Sequence, residues 1–461
     1  MRLGTRISSN CIFSISLFCF SLNAQAQSGQ APGIATLQGM RATYDNQQPL
    51  NEPSVRLDDL IKELVHSNPE LSAAQKRYEI ALTRPAQEGA LPDPRITAGW
   101  ISNGNPLPGA GLGVEPTSNI GLQIAQEFPY PGKRTLRGGM ARKEADSEAQ
   151  MVRARELSLV TQLKTTFYEL RFLYEAEDIL RRNQTLLQQL LRVAEARYSV
   201  GKAMQQDLFK SQVEISILEN KLVVLGQKKA SMVAEINTLL NRSPSESLGR
   251  PELMETLPEL GPLPSLQNQA ETASPMLRAQ QSVIDSKQLG VQMARREYFP
   301  DFDVIGGYYN QGRMKDMWEF KVQINVPIYF WRKQRYALEE SSLRLVEAQR
   351  TYRATDQMLS FRIRDRYLAA EASRKLMDLY SKRIIPQAQF ALESSLASYE
   401  SGGVDFLTVL SNISSILENE TNYYEQRAEY LKALAGLEEL VAQPLTRASA
   451  DNGLHKSEVQ Q

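Results

Sequence analysis

Between Gly139 and Gly201 the chain runs through 61 residues without a single glycine or proline. At 1.5 Å rise per residue, a continuous helix over that tract is about 92 Å long, beyond what an ordinary globular domain accommodates. Val160, Leu163, Phe167, Leu170 and Tyr174 step along it by three and four, and Leu173, Leu180, Leu187 and Ala194 recur every seven residues. That is the spacing of a coiled-coil seam, with the charged residues between forming a solvated face. A second glycine-poor tract begins near Arg332 and runs to Gly402, with Leu338, Leu345, Tyr352 and Leu359 seven apart. Pro386 inside it predicts a kink, because proline removes a helical hydrogen bond.

The features recur in the same order, which points to duplication. Asn68-Pro69-Glu70-Leu71 matches Ser274-Pro275-Met276-Leu277 at an offset of 206, Pro92-Asp93 and Gly99-Trp100 match Pro300-Asp301 and Gly307-Tyr308 at 208, and Tyr198-x-x-Gly201 matches Tyr399-x-x-Gly402 at 201. The reading places a first repeat at 55–242, a Pro- and Gly-rich linker at 243–264, a second repeat at 265–443 and a polar tail at 444–461. The polar, aperiodic stretch 27–54 reads as an extended arm.

Arg2 and Arg6, the apolar run Cys11 to Leu22 and the small-x-small sequence Ala24-Gln25-Ala26 predict a secretory signal peptide over 1–26. Cys11 and Cys19 are the only cysteines, and neither stands in a lipoprotein-processing context. The exported chain is therefore expected to be free of cysteine and not lipidated. With His66 and His455 as the only histidines, zinc sites, thiol nucleophiles and disulfide scaffolds are disfavoured, and no cofactor is expected. Charge is balanced, with 53 basic and 53 acidic residues, so nucleic acid is not an expected partner. A mean hydropathy of -0.38 rules out a bundle of membrane-spanning helices. The chain also lacks Gly-x-Ser-x-Gly, His-Glu-x-x-His and phosphate-loop patterns, which argues against an enzyme.

Each repeat carries a pair of strand-like segments. Phe320, Val322, Ile324 and Val326 alternate with Glu319, Lys321, Gln323 and Asn325, and Ile120, Leu122, Ile124 and Phe128 face away from Asn119, Gly121, Gln123, Ala125 and Glu127. The preceding partners, Arg95 to Asn103 and Phe302 to Asn310, carry Trp100, Tyr308 and Tyr309. Such segments are long enough to cross a bilayer when tilted, and a half-buried strand of a soluble sheet shows the same alternation. Gly104 to Pro116 and Gln311 to Asp316 read as hairpin connections. Four strands cannot close a membrane barrel, so on the membrane reading the chain must oligomerise.

Together these features resemble the outer-membrane factors of tripartite efflux pumps, the TolC family, from roughly Val55 to Gln443. The most specific pieces are Phe128-Pro129-Tyr130-Pro131-Gly132-Lys133-Arg134, Val326-Pro327-Ile328-Tyr329-Phe330 and Ile384-Ile385-Pro386-Gln387-Ala388 ahead of Tyr399-x-x-Gly402. The resemblance implies a mainly α fold with a small membrane β-barrel: a homotrimer whose 12-stranded barrel is continued by a coiled-coil tunnel. It implies a periplasmic adaptor and an inner-membrane pump, of the RND type, as partners, and outer-membrane lipid around the barrel. It places Ile120, Leu122, Ile124, Phe320, Val322, Ile324 and Val326 against lipid, and Pro131, Gly132, Lys133 and Pro327 in strand-to-helix turns. The Pro-Gly-Lys-Arg turn is most similar to the heavy-metal cation branch; Met314 and Met317 read as ordinary loop and interface residues rather than a soft-metal relay.

The resemblance also places Tyr198, Gly201, Tyr399, Gly402 and Gly403 in the turns at the periplasmic tip, with Asp207 in the family's carboxylate slot six residues after the first tip glycine. The second-half slot holds Thr408, Val404 stands where an arginine is sometimes found, and Asp405 stands where serine or threonine is usual. Asp405 is either a constriction charge or a plain helix cap. Two other readings are a protein-secretion exit channel and a secreted coiled-coil spacer whose strands pack on protein.

Overall fold

The computed structural model describes residues 54–103, 106–252 and 256–445. The signal peptide, nearly all of the arm, and the tail beyond 445 lie outside the described residues.

The first repeat contains β1 (Ser54–Val55), α1 (Leu57–Ser67), α2 (Pro69–Gly89), β2 (Arg95–Ile101), β3 (Asn119–Phe128), α3 (Lys133–Ser199) and α4 (Gln205–Leu239). After β4 (Arg250–Pro251), the second contains α5 (Leu263–Ala273), α6 (Pro275–Arg296), β5 (Asp301–Asn310), β6 (Met317–Asn325), α7 (Lys333–Leu379), a π-helical turn (Tyr380–Ile384), α8 (Ile385–Ser401) and α9 (Phe406–Val441). Ser54 is the last residue of the arm and Val55 the first of the first repeat. They form a two-residue strand parallel to Arg250–Pro251 of the linker, so the linker is clasped to the start of the first repeat. Arg171 Nη1 holds the clasp by donating to the Pro251 carbonyl at 2.8 Å. A pairing this short leaves no periodicity for sequence to reveal.

Local chemistry sets the helix ends. The Asn68 side chain accepts from the N–H groups of Glu70 and Leu71 at 2.9 and 3.0 Å, Pro69 occupies the first turn, and Asn68 Nδ2 reaches the Leu239 carbonyl at 2.8 Å. One side chain thus caps α2 and binds the end of α4. α3 begins six residues before the glycine that opened the sequence tract, and Gly138 sits inside it. A Cβ there would lie 3.2 Å from the Pro85 carbonyl oxygen, so the glycine lets α2 lie close against α3.

Buried side chains form three clusters: Leu64, Leu163 and Ile236 lie among α1, α3 and α4; Leu277, Ile363 and Leu434 among α6, α7 and α9; and Leu187, Leu190, Val409 and Ile413 toward the tip turns. The second repeat's long helix follows the first in an offset that changes along its length. Leu159, Leu163, Leu170 and Leu173 are buried, as are Leu359, Ile363, Ala370 and Ser373, 200 residues later; beyond the π turn, Ala194 and Ser395 are buried at an offset of 201. The π turn absorbs that one extra residue just ahead of Pro386, so the break is a register shift inside a continuing helix.

The four strands form one antiparallel sheet in the order β2-β3-β5-β6, with β3 joining the repeats to each other through β5. Ile120 pairs with Asn310 and Phe128 with Phe302 at the two ends of that junction. Apolar side chains share one face and are exposed, among them Trp100, Leu122, Ile124, Phe320 (77% exposed), Val322 and Ile324. Val326 departs from expectation: β6 ends at Asn325, and Val326 is exposed ahead of the Pro327 turn, where the missing proline N–H ends the ladder.

Candidate functional site

The two tip turns are built alike. At the first, Gly201 has φ +73°, its N–H donates to the Tyr198 carbonyl at 2.9 Å, and Lys202 N–H reaches back to Arg197 O at 2.8 Å. At the second, Gly402 has φ +81°, its N–H donates to Tyr399 O at 3.1 Å, and Gly403 N–H reaches Ser398 O at 2.7 Å. Both are left-handed helix stops that favour glycine and satisfy the last carbonyls of the long helix.

The return helices carry the same device with its parts exchanged. Met204 and Asp405 are the N-caps of α4 and α9. In α4 the carboxylate sits three residues in, where Asp207 Oδ2 accepts from Met204 N–H at 3.4 Å. In α9 it sits at the cap, where Asp405 Oδ1 accepts from the Thr408 N–H at 3.1 Å and from the Thr408 hydroxyl. The acid absent from Thr408 has moved to Asp405 and performs the reciprocal half of a capping box. The Thr408 hydroxyl, followed by the Thr408 N–H, holds the Asp405 carboxyl below its ordinary pKa.

The tyrosines differ. Tyr198 is 45% exposed, whereas Tyr399 is 5% exposed. The Arg197 guanidinium lies 4.6 Å from the Tyr399 ring centroid and donates to the Tyr399 carbonyl, and Phe406 meets the ring edge-on at 5.8 Å. Burial raises the phenol pKa, Arg197 opposes that, and the Asp207 charge adds to it. Val404 packs against the tip cluster. Sequence reading passed over Arg197, whose one signal is that it is the cation in the last turn of α3.

At the other end of α3, Gly132 caps the helix with φ +92° and Lys133 is 1% exposed. Its Nζ lies 2.8 and 2.9 Å from the Asp301 oxygens, 3.2 Å from the Phe299 carbonyl and 3.4 Å from Glu297. Asp301 also accepts from Tyr130 N–H at 2.6 Å, and Arg296 donates to Pro131 O at 3.1 Å. The Pro131-Gly132-Lys133 turn therefore bolts the first long helix to the start of β5. Pro327 opens the matching turn of the second repeat, where Arg332 N–H bonds Tyr329 O at 3.0 Å. The sheet's polar face is also linked: Arg95 to Asp303 at 3.4 Å, Asn325 to Asp303 at 3.1 Å, and Tyr309 to Glu319 at 2.6 Å. Among the described residues no group of three or more His, Cys, Asp or Glu side chains stands ready for a metal, and no helix is long and apolar enough to cross a membrane.

The duplicated sequence matches the family described as outer membrane efflux protein over residues 60–242 and 266–443. The chain belongs to that family. As an outer membrane efflux protein it is 23% identical over 410 residues to the pyoverdine export outer membrane protein OpmQ of Pseudomonas aeruginosa, covering 83% of this chain and 84% of the relative. Its fold matches that of the outer-membrane channel OprN, with TM-score 0.73, 15% identity, and coverage of 85% and 91% of the two chains. It also matches the transmembrane channel CusC, with TM-score 0.72, 15% identity, and coverage of 87% and 96%. The outer membrane protein VceC of Vibrio cholerae matches with TM-score 0.72, 17% identity, and coverage of 84% and 96%. The efflux-protein fold accounts for the long helices, the tip turns and the four-stranded sheet as parts of one channel subunit.

Proposed function

We propose that three copies close the sheet into a 12-stranded barrel in the outer membrane, and that the chain is the passive exit duct of a tripartite efflux system. The observation that carries this reading is the sheet. Its apolar side chains share an exposed face, its polar side chains share the other, and β2 and β6 are open edges. In lipid, open edges leave backbone groups unpaired, and closure by further copies removes them. Ile120, Leu122, Ile124, Phe320, Val322 and Ile324 then face lipid, while the tips at Gly201 and Gly402 meet a periplasmic adaptor that joins the duct to an inner-membrane pump of the RND type. The duct performs no catalysis; the pump supplies energy and selects cargo. Outer-membrane fractionation combined with conductance in planar bilayers tests this. Recovery as a soluble periplasmic protein without channel activity would sink it in favour of a secreted spacer.

For the cargo, heavy-metal cations are the first reading, supported by the Pro131-Gly132-Lys133-Arg134 turn. Because Lys133 is occupied as a structural bolt, that turn is a lineage mark and not a metal ligand. The relative named for pyoverdine export favours a second reading, an organic metal chelator. A deletion strain that becomes sensitive to metal salts supports the first, and one that retains a chelator in its periplasm supports the second.

A further inference from the structure

We infer that the contact between the two repeats within one chain is repeated between copies, and that it sets Lys333 of one copy against Asp93 of the next in a strand register that places Gln323 opposite Thr97. This rests on the duct reading for the existence of the oligomer and goes beyond it in naming which residues meet.

The template is the bolt at the base of α3. Lys133 and Lys333 open the two long helices 200 residues apart, and Asp93 and Asp301 follow matching prolines 208 apart. Lys133 and Asp301 are joined at 2.8 Å inside the chain. Their equivalents, Lys333 and Asp93, are both exposed, and neither side chain is paired among the described residues. The neighbouring positions agree. Where Arg296 reaches past Gly132, the equivalents are Glu88 and Arg332, both exposed and opposite in charge. Farther along, Arg182 meets Glu420 across the repeats at 3.4 Å, and their equivalents Arg383 and Glu219 are again exposed and opposite in charge. Three times, an in-chain contact has a counterpart of attractive sign whose two members are not joined to each other among the described residues; of the six side chains, Glu219 accepts from Gln184 Nε2 of its own repeat at 3.3 Å.

The helices make the same argument. α3 packs on α6 and α9 of the other repeat, whereas the extensive contacts of α7 are with α5, α6 and α9 of its own. The matching apolar surfaces are left open: Phe361 and Leu368 on α7, Ile80 on α2, Val213 and Val223 on α4.

Register follows from the sheet. β3 meets β5 with Phe128 opposite Phe302. Phe128-Pro129 corresponds to Val326-Pro327, and Pro300-Asp301 to Pro92-Asp93. Carrying the pairing across puts Val326 level with Pro94, Gln323 with Thr97 and Phe320 with Trp100. This register keeps Phe320 and Trp100 on one apolar face, whereas a one-residue slip would set the apolar row of β6 level with the polar row of β2.

The test uses the full-length chain in native membranes, exploiting the absence of cysteine after residue 19. Under oxidation, Thr97→Cys with Gln323→Cys should form linked dimers and trimers on non-reducing gels severalfold more efficiently than Thr97→Cys with Lys321→Cys. Separately, Lys333→Glu and Asp93→Lys should each lower the temperature at which the trimer band dissociates, and the double exchange should restore it. If the wild type runs as a trimer but the offset pair links equally well, or the double exchange rescues nothing, this inference fails and the duct reading stands. If the wild type is monomeric in outer membranes, or its edges link to a different protein, both fail.

Discussion

Asp405 serves as an N-cap, so its charge and its capping can be separated by substitution. Asp405→Ala removes the acceptor for Thr408 and should lower the thermal stability of the tip, while Asp405→Asn keeps an acceptor and should retain most of it. The depressed pKa gives the pH dependence its sign. A carboxyl held lower in the folded than in the unfolded chain contributes stability above about pH 4 and loses it as pH falls through the folded value. The advantage of wild type over Asp405→Asn, followed by circular-dichroism melts, should therefore shrink on acidification. If Asp405 also lines the constriction, Asp405→Asn will reduce cation preference in bilayer conductance; unchanged selectivity would leave it a cap alone. Lys133 makes a stronger demand. Lys133→Met strands a carboxylate that keeps its Tyr130 bond and some water, so the expected loss is about 2–4 kcal/mol, read as a lower trimer dissociation temperature. Adding Asp301→Asn should recover part of it. Asp405 could be read from sequence as a cap candidate because capping is local. Lys133 could be read only as part of a motif, because its partner stands 168 residues away.

The elements differ in how openly the sequence declares them. Long helices and alternating strands repeat their signal over many residues, so α3, α7, β3 and β6 were legible from periodicity. The π turn was not: Pro386 pointed to a disturbance, but a one-residue register shift is visible only when buried positions on both long helices can be compared. That origin supports a deletion test. Removing Ser381 should convert the turn to ordinary α-helix while preserving the seating of Ile363 and Ser395. Removing Ala370, which lies in the core cluster, should misalign everything beyond it. Yield of assembled trimer on unheated gels separates the two. In the sheet, Val322→Arg, next to the middle of β6 on its apolar face, should impair insertion, since a cation near the bilayer midplane costs about 2–4 kcal/mol, whereas Gln323→Arg on the polar face should be tolerated. Equal assembly of both variants would show that β6 does not face lipid in this register.

For the whole molecule, the hairpin connections should lie outside the cell and the tip turns in the periplasm. Gly111 is a poor labelling site, because it has φ +76° and an added Cβ would meet Ser118 Oγ at 2.6 Å. Val114, 76% exposed in the same connection, is better. Val114→Cys and Lys315→Cys should react with an impermeant maleimide on intact cells, and Lys202→Cys should not; the opposite pattern would invert the topology. Duplication was legible at this scale through ordered matches, while the clasp of β1 on β4 and the Arg197–Tyr399 link were not, since each joins residues far apart in the chain through only a few atoms. The two open edges of the sheet also bear on kinetics. A solitary chain entering a bilayer would expose a row of unsatisfied amides and carbonyls to hydrocarbon along β2 and another along β6, so insertion should wait for encounter with other copies. The initial rate at which channels appear in liposomes should then rise far more steeply than linearly with protein concentration, approaching third order when encounter limits assembly, and preformed trimers should insert without that lag.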